Sequence, residues 1–202
     1  MFEVLLITDP AASGGIAGSV RAALRGNDAA GRVAVQLRAK ALDAASLAPI
    51  ARELREITEA TGVALLINGA IALAREVRAD GVHLPEAGPS PALAREVLGP
   101  GRQIGVSCHD VAGLERAAQG GADYATLSPV YESPGKGPPL GLACFARWTA
   151  AARLPVIALG GVQARHVPQL RAAGAAGVAV ISAVFGAPDP SAALRELLDP
   201  LP

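Results

Sequence analysis

The chain has 202 residues, 51% of them hydrophobic and 18% charged, with Lys+Arg 18 against Asp+Glu 18. A chain of this size and apolar content can bury a substantial core, and the expectation is one domain over residues 1–202. Balanced charge, 3% aromatic residues and no basic run exclude an electrostatic nucleic-acid binder, and Cys108 and Cys144 have neither disulfide-framework nor metal-like spacing.

In chain order, the first apolar run is VLLIT (4–8), followed by Asp9. The opening MFEVLLITDP has no basic leader or cleavage site, and no later apolar run reaches about 18 residues, so the expected place is the cytoplasm with no membrane contact. The second run, VAVQLR (33–38), leads into three polar side chains two residues apart: Gln36, Arg38 and Lys40. In an extended chain residues two apart share a face, so all three are expected to point at one spot, although a solvated edge strand shows the same comb by chance.

Leu47, Ile50, Leu54 and Ile57 then recur at helical spacing before a stop at Gly62. ALLIN (64–68) ends in Asn68, and GVHL (81–84) places His83 in a wall. QIGVSC (103–108) carries Ser107, buries Cys108 as a small side chain and leads to His109. YATLS (124–128) opens the long loop SPVYESPGKGPPLG (128–141), with Glu132, Ser133 and Lys136. PVIALGG (155–161) ends in Gly160 and Gly161, and GVAVIS (177–182) in Ile181 and Ser182. Val167, Leu170 and Ala173, then Leu194, Leu197 and Leu198, are the apolar faces of two late helices, with His166 exposed at the start of the first.

The strands are continuously apolar rather than alternating, which fits a parallel sheet covered on both faces. RADGVHL, GGADYATL and AAGAAGVAVIS are alike, each a small-residue stop leading into a strand. Eight such strands alternating with helices point to a (β/α)8 TIM barrel; a doubly wound open sheet is the alternative, but the first strand is not followed by a GxGxxG turn.

In such barrels the working groups gather at the strand C-termini, and the loops after strands seven and eight commonly hold a phosphate. Glycine lets backbone amides approach an anion closely, although Gly160-Gly161 is also a simple turn. Lys136 suits either a second phosphate or a solvated loop. His109 suits either acid–base chemistry or a structural hydrogen bond.

Over nearly its whole length the chain resembles the superfamily of thiamine phosphate synthases and TenI-type thiazole tautomerases. The phrases that carry the resemblance are LLITDP, VQLRAK, LLINGAIALA, ADGVHLPE, IGVSCHD, GADYATLSPVYESPGKGPPLGL, PVIALGGV and GVAVISA. For the synthase branch it implies that Gln36, Arg38 and Lys40 face a pyrimidine diphosphate, with Asn68, Ser107 and Lys136 nearby. It implies further that Gly160, Gly161, Ile181 and Ser182 hold the phosphate of a thiazole.

Two departures decide between the branches. The synthase pattern has Asn-Asp after the third strand and another Asp after the fourth, together holding Mg2+; here those places read Asn68-Gly69 and HLPEAGPS, leaving Glu86 as the nearby acid. Asn-Gly and Leu-Pro resemble the tautomerase branch instead, whose proton-transfer aromatisation needs no metal. Its acid–base histidine after the sixth strand is replaced by Pro129, however, which leaves His109, Glu132 and Lys136 as catalytic candidates. The sequence-based expectation is thus a tautomerase-like isomerase binding thiazole phosphate with no cofactor and Ser133 in the substrate pocket. The alternatives are a thiamine phosphate synthase using Mg2+ and a non-catalytic binding relative, and a homodimer is compatible with each.

Overall fold

A computed structural model describes residues 1–199. Eight strands alternate with helices: β1 (Val4–Ile7), α1 (Gly15–Leu24), β2 (Val33–Leu37), α2 (Ala44–Thr61), β3 (Ala64–Asn68), α3 (Ile71–Glu76), β4 (Gly81–Leu84), α4 (Pro91–Leu98), β5 (Gln103–Cys108) and α5 (Val111–Gln119). There follow β6 (Tyr124–Leu127), α6 (Leu142–Ala151), β7 (Val156–Leu159), α7 (Val167–Ala172), β8 (Gly177–Val180), the short α8 (Ser182–Phe185) and α9 (Pro190–Leu198). All neighbouring strands are parallel, and β8 pairs with β1, closing the (β/α)8 TIM barrel. The open-sheet alternative is thereby excluded. Among the described residues no helix is long and apolar enough to cross a membrane.

Alternation along each strand divides the buried side chains into two cores. Val4, Leu6, Val33 and Val35 point outward and pack with helix residues such as Leu54 and Leu114. Leu5, Ile7, Ala34, Leu66, Tyr124, Ile157 and Ala179 fill the barrel interior, with Phe2 packed against them. Burial on both faces explains the unbroken apolar runs. Leu54 is fully buried, so Leu54→Ala is expected to cost about 2–5 kcal/mol of stability.

Helix boundaries follow local chemistry. Asp43 caps α2 by accepting from the Ser46 amide at 2.9 Å, and Gly62 closes that helix in the left-handed region at φ 66°. The repeated phrases have a physical cause too. Asp80, just before β4, accepts from the Leu65 amide at 2.8 Å and from Arg55; Asp123, just before β6, accepts from the Ile104 amide at 2.7 Å and from Arg95. Each aspartate ties the start of the preceding strand to the helix that leads into that strand. The third phrase lacks the aspartate, and Arg171 there donates to the carbonyls of Ala175 and Ala176.

Several strands end earlier than the apolar runs suggest: β1 at Ile7, β2 at Leu37, β6 at Leu127, β7 at Leu159 and β8 at Val180. Gly160 and Gly161, at φ 95° and 65°, take β7 out of extended geometry. His166 lies in a 3-10 turn (Ala164–His166) ahead of α7 and is half-buried rather than exposed. Its ring stacks on Tyr131, with centroids 4.1 Å apart.

Candidate functional site

The C-terminal mouth of the barrel holds a cavity of about 320 Å³ onto which Gln36, Arg38, Lys40, Asn68, Ser107 and Lys136 all open. The three-residue comb does converge, by a route that differs from the expectation. Only Gln36 lies within β2; Arg38 and Lys40 follow on the loop. Thr8 extends the order past the strand end: its hydroxyl accepts from the Arg38 amide at 2.9 Å and donates to the Arg38 carbonyl at 3.2 Å. That grip fixes the backbone from which the guanidinium projects. Gln36 is buried and donates through Nε2 to Asn68 Oδ1 at 2.9 Å, while its Oε1 has no partner among the described residues.

A second cavity of about 290 Å³ adjoins the first and shares Ser133, Pro134, Leu159, Gly160 and Ile181 with it. Gly161, Ser182 and Glu132 belong to this second space alone. The glycine pair is imposed by the long loop as well as by φ. A Cβ on Gly160 would stand 2.7 Å from the Pro129 Cα, and one on Gly161 would stand 2.3 Å from the Glu132 carbonyl oxygen. The Val130 amide donates to the Leu159 carbonyl at 2.9 Å and the Tyr131 amide to the Gly160 carbonyl at 3.0 Å. The base of the 128–141 loop is thus laid along the end of β7.

Beneath the first cavity lies a polar network that sequence reasoning missed. His83 is buried; its Nδ1 is 3.0 Å from the Tyr124 hydroxyl, and its Nε2 is 3.0 Å from Ser107 Oγ and 3.4 Å from Thr126 Oγ1. Burial, with the nearby Arg38 charge adding to it, lowers the imidazole pKa to about 3. Tyr124 reaches His83 because Gly105 lies between them: a Cβ there would stand 2.1 Å from Tyr124 Cζ. In pairing register Asn68 aligns with His83, His83 with Gly105 and Gly105 with Tyr124. His83 does line the wall of the first cavity, as expected; the hydrogen-bond network behind it was missed, and the available signal was the strand alternation that turns His83 inward.

The three candidate acid–base residues do not converge. His109 and Lys136 are exposed side chains at the rim of the first cavity, whereas exposed Glu132 lines the second. His109 makes no side-chain hydrogen bond among the described residues, so the structural alternative for it has no support. Cys108 is buried as expected, and burial pushes its thiol up to about 12.

The charge lining this mouth is predominantly positive. Among the described residues Arg38, Lys40 and Lys136 form no ion pair, while Glu86, the one carboxylate lining the first cavity, is paired with Arg116 at 3.0 Å. Three uncompensated cations converge on a space large enough for a small molecule, which is a site for a multiply charged anion.

The thiamine monophosphate synthase family model matches residues 4–184. A putative thiamine-phosphate synthase of Geobacter sulfurreducens is 46% identical, over 100% of this chain and 95% of that protein. The chain belongs to the thiamine monophosphate synthase family. A thiamine-phosphate synthase of Roseiflexus castenholzii is 39% identical, over 97% of this chain and 86% of that one. The structure of a thiamine phosphate pyrophosphorylase from Pyrococcus furiosus superposes with a TM-score of 0.87 at 29% identity, covering 98% of this chain and 95% of that chain.

These synthase relatives overturn the tautomerase expectation, and the geometry explains why its markers misled. Gly69 stands at φ 69°, its amide donating to the His83 carbonyl at 2.9 Å, and a Cβ there would be 3.6 Å from the Pro85 ring. Asn-Gly and Leu-Pro are two sides of one packed turn between the ends of β3 and β4. They report backbone geometry, not proton-transfer chemistry.

Within this family the question of Mg2+ turns on the donors present. Mg2+ is usually held by one or two carboxylates with substrate phosphates. Here the single lining carboxylate is already engaged by Arg116, and among the described residues no group of three or more His, Cys, Asp or Glu could hold a metal. The residues do not fit a preformed magnesium site.

Proposed function

We propose that this chain is a thiamine-phosphate synthase, joining hydroxymethylpyrimidine diphosphate to thiazole phosphate with release of diphosphate. The observation that carries the reading is the pair of adjoining cavities, one ringed by uncompensated cations and the other walled by the Gly160-Gly161 and Ile181-Ser182 loops. Two anionic substrates need two anchors and a shared wall.

In this reading Arg38, Lys40 and Lys136 bind the diphosphate. They also stabilise it as the bond between its oxygen and the pyrimidine methylene breaks and the electron pair departs with it. Gln36 presents its unpartnered Oε1 to a donor on the pyrimidine, a buried acceptor otherwise left unsatisfied. The thiazole nitrogen, held across the shared wall, supplies its lone pair to the resulting cation. No proton moves in that capture, so His109 and Glu132 need no acid–base role; they line the site, with Asn68, Ser107 and Ser133. The backbone at Gly160, Gly161 and Ile181, with the Ser182 hydroxyl, anchors the thiazole phosphate. Because the donors do not fit a preformed Mg2+ site, the charge of the departing diphosphate falls on the three cations. The whole chain serves as one barrel domain, and its partners are these small molecules.

The test is thiochrome fluorescence of purified protein incubated with both substrates, alongside an authentic synthase. Formation of thiamine phosphate is expected. Binding of thiazole phosphate without any thiamine phosphate, with or without added Mg2+, overturns the reading.

A further inference from the structure

His83 lines the floor of the first cavity and Tyr124 lies behind it, and their hydrogen bonds constrain a residue that opens on the same cavity. Tyr124 is buried, and its hydroxyl has one hydrogen-bond partner among the described residues, His83 Nδ1. A phenol with one neighbour either donates to it or leaves its own proton unpaired, and a buried unpaired donor is costly. Nδ1 is therefore the acceptor. A neutral imidazole that accepts at Nδ1 carries its proton on Nε2, where Ser107 Oγ stands at 3.0 Å, closer than Thr126 Oγ1 at 3.4 Å.

With one Ser107 lone pair occupied by that N–H, its hydroxyl proton is free to turn into the cavity that Ser107 lines. We infer that the Tyr124–His83–Ser107 chain fixes the direction of three protons, so that Ser107 acts as a hydrogen-bond donor to an acceptor atom of the pyrimidine diphosphate substrate. His83 and Tyr124 are positioning residues, acting through Ser107. Phe2 holds the far end, meeting the Tyr124 ring edge-on with centroids 5.2 Å apart, and Gly105 leaves the path open. The identity of the acceptor rests on the synthase reading, whereas the proton order does not.

Long-range 15N correlation NMR of the 15N-histidine-labelled whole chain reads the tautomer without reference to activity. The expected spectrum shows His83 neutral and protonated on Nε2; protonation on Nδ1, or a charged ring at neutral pH, overturns the inference. In turnover, Tyr124→Phe is expected to raise KM for the pyrimidine diphosphate about tenfold with kcat little changed. Combined with Ser107→Ala it should add nothing to the loss from Ser107→Ala alone. His83→Gln, which can accept from Tyr124 and donate to Ser107, is expected to rescue most of the KM lost in His83→Leu. Full additivity of the Tyr124 and Ser107 changes overturns the inference. An Nε2–H tautomer in a protein that forms no thiamine phosphate supports the proton order while removing the synthase reading.

Discussion

His83 makes the fold sensitive to acid at a single atom. Its folded pKa is about 3 against about 6.5 unfolded, so between those values the unfolded chain binds a proton that the folded chain refuses. Stability is then complete above about pH 6.5 and falls as pH drops toward 3, at up to about 1.4 kcal/mol per pH unit for one proton. His83→Gln is expected to flatten that slope in urea titrations between pH 6.5 and 5, where most carboxylates stay ionised; an unchanged slope would assign the acid limb to other groups. Arg38 acts on the same scale but on turnover. Its guanidinium lines the cavity with no carboxylate partner among the described residues, and its backbone is fixed by Thr8. Arg38→Ala should lower kcat/KM by about 100- to 1000-fold, the usual cost of one preorganised electrostatic group, while the urea midpoint moves little.

At the scale of elements, two glycines show how strand ends and loops make the site. Gly161 sits where the 128–141 loop crosses the end of β7, with no space for a Cβ. Gly161→Ala is expected to weaken thiazole phosphate binding at least tenfold by calorimetry, with a smaller effect on the pyrimidine diphosphate. Equal losses for both substrates would mean that the two cavities are one. Gly105→Ala drives a methyl into the Tyr124 ring and should cost about 1–3 kcal/mol in urea unfolding, as overpacking does. The sequence made much of this level legible: eight apolar runs became eight strands, and Gln36, Arg38, Lys40, Ser107 and Lys136 do open on one cavity. Local pattern suffices there, because alternation and glycine stops act over a few residues. The His83 network was not legible, since its contacts join residues 24 and 41 positions apart through the barrel interior. Asn68-Gly69 misled for the converse reason: a turn requirement and a chemical requirement leave the same two letters.

The whole molecule is electrically neutral, with Lys+Arg 18 against Asp+Glu 18, yet its charges are not evenly compensated. Some arginines pair with acids, as in Arg32–Glu3 and Arg95–Asp123, whereas at the barrel mouth Arg38, Lys40 and Lys136 stand together around one cavity with Glu86 already taken by Arg116. In the proposed reading, binding of a diphosphate there is a multivalent Coulomb attraction open to solvent. Such attraction is screened over about 10 Å at 0.1 M salt and about 3 Å at 1 M. KM for the pyrimidine diphosphate should rise several-fold across that range, and Lys136→Ala should reduce the slope as well as raise KM at low salt. In the proposed reading thiazole phosphate is held by backbone amides and a hydroxyl in the neighbouring cavity, and it should respond less. A chelator should leave its affinity unchanged in calorimetry, because no described carboxylate lining the second cavity other than Glu132 could tether a metal. If salt weakened both ligands equally and a chelator abolished thiazole phosphate binding, the division of labour between a cationic cavity and a backbone cup would be wrong.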